Sequence, residues 1–290
     1  MNDRLDAATP WELAGAEGEA ILGDAHLPCD APRGTLVICH GSMGYKDYGM
    51  LPRVAEAAAA MGWAAHRFNF SHSGMTRAIE RFERPDLYRV DTWRKQAFDL
   101  RAVLRAVGSG ELPGGGPVAV FGHSRGGVTA LLTARWMLDE GDAARPDGLV
   151  TAAAPAELMR LSEDDIAQAK RDGVLPRKSN RTGQALEMDR LWIDEQEADP
   201  AWHDALAAGE RVCDAGLAWL ILHGEADATV PIDEGRRYLE RSGGRAQWLA
   251  FPGANHVFDC PNPPPSGPLP DATRGVIDAT TEFCAALRSS

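Results

Sequence analysis

The residues whose types and settings could carry out chemistry are Ser124, Asp227 and His256, a hydroxyl, a carboxylate and an imidazole of the kind that together activate a nucleophile. Ser124 stands in Gly122-His123-Ser124-Arg125-Gly126-Gly127, directly after the apolar run Val118 to Phe121 and before a helical stretch. A serine on a sharp strand-to-helix turn is projected into a cleft. The glycines around it let neighbouring backbone approach where a side chain would collide. The hydroxyl needs a base, and of the eight histidines, His26, His40, His66, His72, His123, His203 and His223 lie against strands, glycine turns or a charged segment and read as structural. His256, in Gly253-Ala254-Asn255-His256-Val257-Phe258, instead follows the apolar run Gln247 to Phe251 on a loop. Between serine and histidine, the run Leu217 to Leu222 leads into His223-Gly224-Glu225-Ala226-Asp227-Ala228-Thr229-Val230-Pro231, and Asp227 is the acid of choice over Glu225 and Asp233. Its carboxylate would fix the imidazole tautomer and stabilise the imidazolium. Backbone donors for an oxyanion are expected from Ser42 or Met43 in His40-Gly41-Ser42-Met43-Gly44 and from Arg125, the residue after the nucleophile.

The elements that must position these groups alternate. Apolar runs at Thr35 to Cys39, Trp63 to Phe70, Val118 to Phe121, Leu149 to Ala153, Leu217 to Leu222 and Gln247 to Phe251 read as strands. Helical patterns fall at Leu51 to Met61, Thr92 to Val107, Gly127 to Leu138, Ile232 to Arg241 and Asp271 to Leu287. This is the rhythm of an α/β chain with a mostly parallel central sheet flanked by helices. Gly15 to His26 suggests an antiparallel edge hairpin ahead of it. Residues 156–215 break the rhythm with heavy charge and no buried-strand pattern, and they are expected to be a helical insertion within the core formed by 1–155 and 216–290. There, Ser162 caps a helix that Gly173 closes, and Asp199-Pro200 reads as the start of another that Gly209 stops. Pro261 to Pro270 is an extended loop.

Composition narrows the partners. Thirty basic against forty-two acidic side chains give a net charge of −12, which repels phosphate backbones and anionic bilayers, so nucleic acid is not expected. The five cysteines are widely spaced without a CxxC pair, so neither a disulfide scaffold nor a structural metal is expected. The segment Met1 to Asp6 lacks the apolar core of a signal peptide, and no apolar run reaches the roughly 18 residues of a membrane span. A cytoplasmic protein without cofactor or metal, acting as a monomer or homodimer on a small molecule, is the expectation. An insertion over the cleft would add apolar walls, for which Leu191 and Trp192 are candidates together with Met43 and Tyr45. Arg125, Lys46 and Arg77 are the cations that could meet a carboxylate.

The motifs HGSMG, GHSRGG, HGEADATVP and GANHVF, in this order and strand context, resemble the α/β-hydrolase superfamily across about Arg33 to Leu287. Within it the chain is similar to dienelactone-hydrolase-like and bacterial serine esterases, including the feruloyl-esterase type, which also carry an insertion after the sixth strand. The chain order serine, acid, histidine is that of the family. True dienelactone hydrolases use a cysteine where this chain has Ser124, so the resemblance implies ester cleavage by a serine through an acyl-enzyme. The alternatives it leaves open are a serine aminopeptidase or amidase, a thioesterase, an acyltransferase and a hydrolase-fold binding protein.

Overall fold

The computed structural model describes residues 8–287; the segment Met1 to Asp6 discussed above lies outside them. Their elements run in chain order β1 (Thr9–Ala14), β2 (Ala20–His26), β3 (Thr35–Cys39), α1 (Leu51–Ala60), β4 (Ala64–Asn69), α2 (Pro85–Arg89), α3 (Trp93–Ser109), β5 (Val118–His123), α4 (Arg125–Asp139) and β6 (Gly148–Ala152). There follow α5 (Glu163–Asp172), β7 (Val174–Lys178), β8 (Ala185–Asp189), α6 (Leu191–Ala198), α7 (Ala205–Asp214), β9 (Ala218–Gly224), α8 (Ile232–Arg241), β10 (Gln247–Phe251) and α9 (Asp271–Ala286). Among the described residues the main sheet has eight strands in the order β1-β2-β4-β3-β5-β6-β9-β10. The strands from β4 to β10 pair in parallel, while β2 joins β4 and β1 joins β2 antiparallel. The edge hairpin thus exists, but its first strand begins at Thr9, ahead of Gly15.

The central strands are buried on both faces because helices cover both, which is why they read as unbroken apolar runs. Alternate residues still separate the two cores. Leu36 and Ile38 of β3 face a cluster with Leu51 and Val54 of α1 and Val276 and Phe283 of α9. Val37 and Cys39 face the opposite cluster, with Leu100 of α3, Leu131 of α4, Val212 of α7 and Tyr238 of α8.

Residues 156–215 contain the helix the sequence indicates after Ser162, two further helices with other bounds than expected and, in addition, a β-hairpin the sequence does not signal. Ser162 caps α5 by accepting from the N–H of Asp165 at 3.1 Å, and Gly173 closes it in the left-handed region at φ 80°. Strands β7 and β8 pair antiparallel around a turn in which the Ser179 N–H donates to the Gln184 carbonyl at 3.0 Å. The hairpin is held to the body through Leu186, buried with Tyr45, Met75, Phe82 and Tyr88. Its other side chains are mostly exposed.

One expectation is corrected. Asp199 does not cap a helix reaching to Gly209; its carboxylate accepts from the N–H of Trp202 in a turn. Asp204 caps α7 instead, accepting from Ala207 at 2.9 Å, and Gly209 lies inside that helix. A Cβ on Gly209 would sit 2.6 Å from the Trp219 ring, so this glycine serves close packing of α7 on β9 rather than helix termination. The insertion's last helix is accordingly part of the core layer.

Burial assigns unequal costs to similar substitutions. Leu131→Ala empties a site with no solvent exposure between α4 and the sheet and should lower unfolding free energy by roughly 2–5 kcal/mol. Leu249→Ala, on the outer strand β10 with the side chain 39% exposed, should stay within about 0.5 kcal/mol. Urea denaturation of both variants checks the difference, and similar losses would contradict the placement of β10.

Candidate active site

Four loops converge at the carboxyl ends of the parallel strands, where open α/β sheets place their ligand crevices. The first follows β3, the second is the β5–α4 corner, the third follows β9 and the fourth follows β10. At the corner, Ser124 has φ 52° and ψ −120°, a conformation that costs an L-residue of order 1–3 kcal/mol and persists only where the surroundings impose it. The surroundings are backbone. A Cβ on Gly126 would lie 2.5 Å from the Cys39 carbonyl oxygen and 2.6 Å from that of His40, and one on Gly122 would lie 2.3 Å from the Gly126 carbonyl oxygen. Helix α4 can therefore start against β3 and β5 only with glycines at both positions. The Ser124 N–H donates to the Ala152 carbonyl at 2.8 Å, tying the corner to β6.

Asp227 and His256 meet: the ring Nδ1–H donates to Asp227 Oδ2 at 2.8 Å. The other carboxylate oxygen accepts from the N–H groups of Thr229 and Val230, both at 2.8 Å. Burial pushes the Asp227 carboxyl up, but the His256 hydrogen bond and these two N–H groups outweigh it and hold it below the usual range, so it is an anion. Glu225 is exposed and Asp233 pairs with Arg236 at the surface, so neither alternative acid approaches the ring. Ser124 and His256 line the same cavity, of about 220 Å³, without a hydrogen bond between them.

Two further histidines brace the loops, a role their setting in sequence did not disclose. His123 donates from Nε2 to the His256 carbonyl at 2.9 Å, and its ring centre lies 5.0 Å from that of His256. Burial, with the neighbouring His256 adding to it, pushes its pKa down to about 3, so it is neutral. His40 donates from Nδ1 to the Gly41 carbonyl at 2.8 Å and is held neutral by burial, at about 4. In the loop it supports, Met43 adopts φ 54°, and the N–H groups of Ser42, Met43 and Arg125 have no acceptor among the described residues.

A second cavity, of about 290 Å³, shares Ser42 and Ser124 with the first and extends under the insertion past Trp93, Trp192, Met188 and Arg125. The sequence-predicted wall residues divide. Met43 lines the first cavity and Trp192 the second. Tyr45 lines neither, being buried against Tyr48 with its hydroxyl donating to Asn262. Leu191 points to solvent at 42% exposure. Lys46 and Arg77 also line neither, because Lys46 is buried in ion pairs with Asp24 and Asp47, and Arg77 reaches toward Asp24. The hairpin supplies walls that sequence reasoning missed, Arg177 in the second cavity and Lys178 to Arg181 in the first. Nothing in its exposed, charged strands marks them.

Arg125 is the cation that does reach the site. Its Nη1 lies 3.0 Å from Asp91 Oδ2, and its guanidinium carbon sits 4.7 Å from the centre of the Trp93 ring. Among the described residues no group of three or more His, Cys, Asp or Glu side chains is arranged to hold a metal ion, and no helix is long and apolar enough to cross a membrane.

An alpha/beta hydrolase family model matches residues 36–267, and the chain belongs to that family. It is a hydrolase of the α/β fold. No curated protein matches the chain in sequence. Among solved structures, Est1E from Butyrivibrio proteoclasticus with ferulic acid bound superimposes with a TM-score of 0.69 at 18% identity, covering 95% of this chain and 98% of that one. The esterase domain of a Rhodothermus marinus protein gives 0.63 at 17% identity, covering 97% and 99%. Alpha/beta hydrolase domain-containing protein 10 from mouse gives 0.67 at 16%, covering 96% and 99%. At these identities the likeness is one of fold.

The Asp91 carboxyl provides a titration test of the floor of the second cavity. Burial raises it to about 6, with Arg125 opposing, so the folded chain binds this proton more tightly than the unfolded chain. Its contribution to stability therefore falls as pH rises from about 4 through about 6. Relative to Asp91→Asn, the wild type should lose on the order of 1–3 kcal/mol of unfolding free energy across that window. A difference that is flat with pH would contradict the burial of this charge.

Proposed function

We propose that the chain is a serine hydrolase that cleaves carboxylic esters through an acyl-enzyme, with Ser124 as nucleophile, His256 as base and Asp227 as the acid that orients it. The observation that carries this reading is the 2.8 Å hydrogen bond from His256 Nδ1 to the buried Asp227 anion, on a ring that shares a cavity with the strained Ser124. That bond leaves Nε2 without the proton and able to accept one.

In the proposed cycle the Ser124 oxygen attacks the ester carbonyl carbon while its proton passes to His256 Nε2. The oxyanion that forms accepts hydrogen bonds from the N–H of Arg125 and that of Ser42 or Met43, which have no acceptor among the described residues. Collapse breaks the carbon–oxygen bond to the alcohol, and His256 returns the proton to the leaving oxygen. Water, deprotonated by His256, then attacks the acyl carbon and frees Ser124. Within residues 156–215 the hairpin and α6 act as a cap, since the hairpin lines both cavities and α6 the second. The esterase domain and the ferulic acid complex among the structural neighbours favour an ester over an amide.

Ser124→Ala should abolish turnover of 4-nitrophenyl esters with an unchanged melting temperature. Asp227→Asn should cost about 10³- to 10⁴-fold in kcat, whereas Glu225→Gln should leave it near wild type. Equal losses at the two acids, in folded proteins, would refute the assignment of Asp227.

A further inference from the structure

The two cavities that meet at Ser124 are chemically unlike, and on the serine-esterase reading they take different halves of a substrate. His256 returns its proton to the leaving oxygen, so the leaving group must lie on the side of the cavity that contains His256. That side is the first cavity, whose outer wall is the polar hairpin turn Lys178 to Arg181. The second cavity contains the nucleophile and the Ser42 and Arg125 positions but not His256, so it receives the acyl group.

In the second cavity cations outnumber anions. Three guanidinium groups, those of Arg125, Arg160 and Arg177, stand against one carboxylate, that of Asp91, in a chain whose net charge is −12. Buried hydrogen-bond donors also exceed acceptors at its floor. Among the described residues, Nε and Nη2 of Arg125 and Nε1 of Trp93 have no partner, against one unpartnered oxygen there, Asp91 Oδ1. Buried donors left without acceptors are costly, and a ligand rich in acceptors relieves that cost. Arg160 and Arg177 are exposed and, among the described residues, outside any ion pair; Arg160 donates to the Thr229 carbonyl, and Arg177 lies by the Tyr88 phenol. Trp93, Trp192, Leu158 and Met188 line the same cavity and give it an apolar and aromatic wall. The volume, about 290 Å³, is ample for one ring with a substituent, given that a cavity of roughly 150 Å³ holds benzene.

We propose that the second cavity selects acyl groups that carry an anionic carboxylate at the end of an apolar or aromatic body, so that the preferred substrates are monoesters of dicarboxylic acids. A guanidinium in a partly enclosed site recognises a carboxylate through charge-assisted hydrogen bonds, and the aromatic walls hold the body between it and Ser124.

The test pairs two esters with one leaving group, 4-nitrophenyl 4-carboxybenzoate and 4-nitrophenyl 4-methylbenzoate, whose rigid rings keep the carboxylate from attacking its own ester. The charged ester should have a kcat/KM about tenfold or more above the neutral one. The ratio should fall toward one in the Arg160→Gln/Arg177→Gln double variant and at high salt. A charged ester turned over no faster than the neutral one overturns the proposal while leaving the esterase reading intact. Should neither ester be cleaved, the esterase reading fails separately, and the cavity is then tested without turnover. Quenching of tryptophan fluorescence by monomethyl terephthalate should then occur at lower concentration than by dimethyl terephthalate; equal affinity overturns the proposal.

Discussion

The whole arrangement depends on a steric constraint at one corner. Ser124 is held at φ 52° and ψ −120° because α4 begins in contact with the ends of β3 and β5, with carbonyl oxygens of Cys39, His40 and Gly126 occupying the space that side chains at Gly126 and Gly122 would need. Close approach of three backbone segments fixes where the hydroxyl points. It also leaves the N–H of Arg125 at the start of α4 unpaired and brings Gly41 against Ser124, with a Cβ there only 3.1 Å from the Ser124 Cβ. Strain of this kind survives because the buried strands on either side are held by two cores, one on each face of the sheet.

Around that corner the other groups are positioned through layers of neutral histidines and one buried anion. His40 and His123 are pushed far from protonation by burial, so each keeps one N–H to donate, to the carbonyls of Gly41 and His256 respectively. His223 does the same for the Val230 carbonyl. Asp227 remains ionised despite burial because two backbone N–H groups and the His256 ring share its charge. The placement of His256 on the loop after β10 is thus set by the end of β5 and the loop after β9, through contacts 133 and 29 residues apart in sequence.

What could be read from the sequence follows from how each feature is encoded. The core strands announce themselves because a strand buried on both faces must be apolar throughout, and Ser124 because only glycines fit the corner. Asp227 and His256 were legible through their loops following such strands. The hairpin β7–β8 was not, since VLPRK and ALEMD bury little beyond Leu175 and Leu186 and carry no alternation strong enough to see. Asp199-Pro200 imitated a helix start because its carboxylate accepts from the N–H three residues on, the same contact a cap makes, in a turn that does not continue as a helix. Tyr45 and Lys46 sit beside the HGSMG motif in sequence yet turn inward, to Tyr48 and to Asp24 and Asp47. Arg160 and Arg177 come to the second cavity through tertiary folding of the insertion, which no spacing reports.

The central claim is that Ser124 is an activated nucleophile. Treatment of the folded protein with a serine-reactive fluorophosphonate, followed by intact mass and peptide mapping, tests it most directly. The account predicts a single adduct, on Ser124, that is lost in His256→Ala. An unlabelled folded protein, or an adduct on another residue, would contradict it.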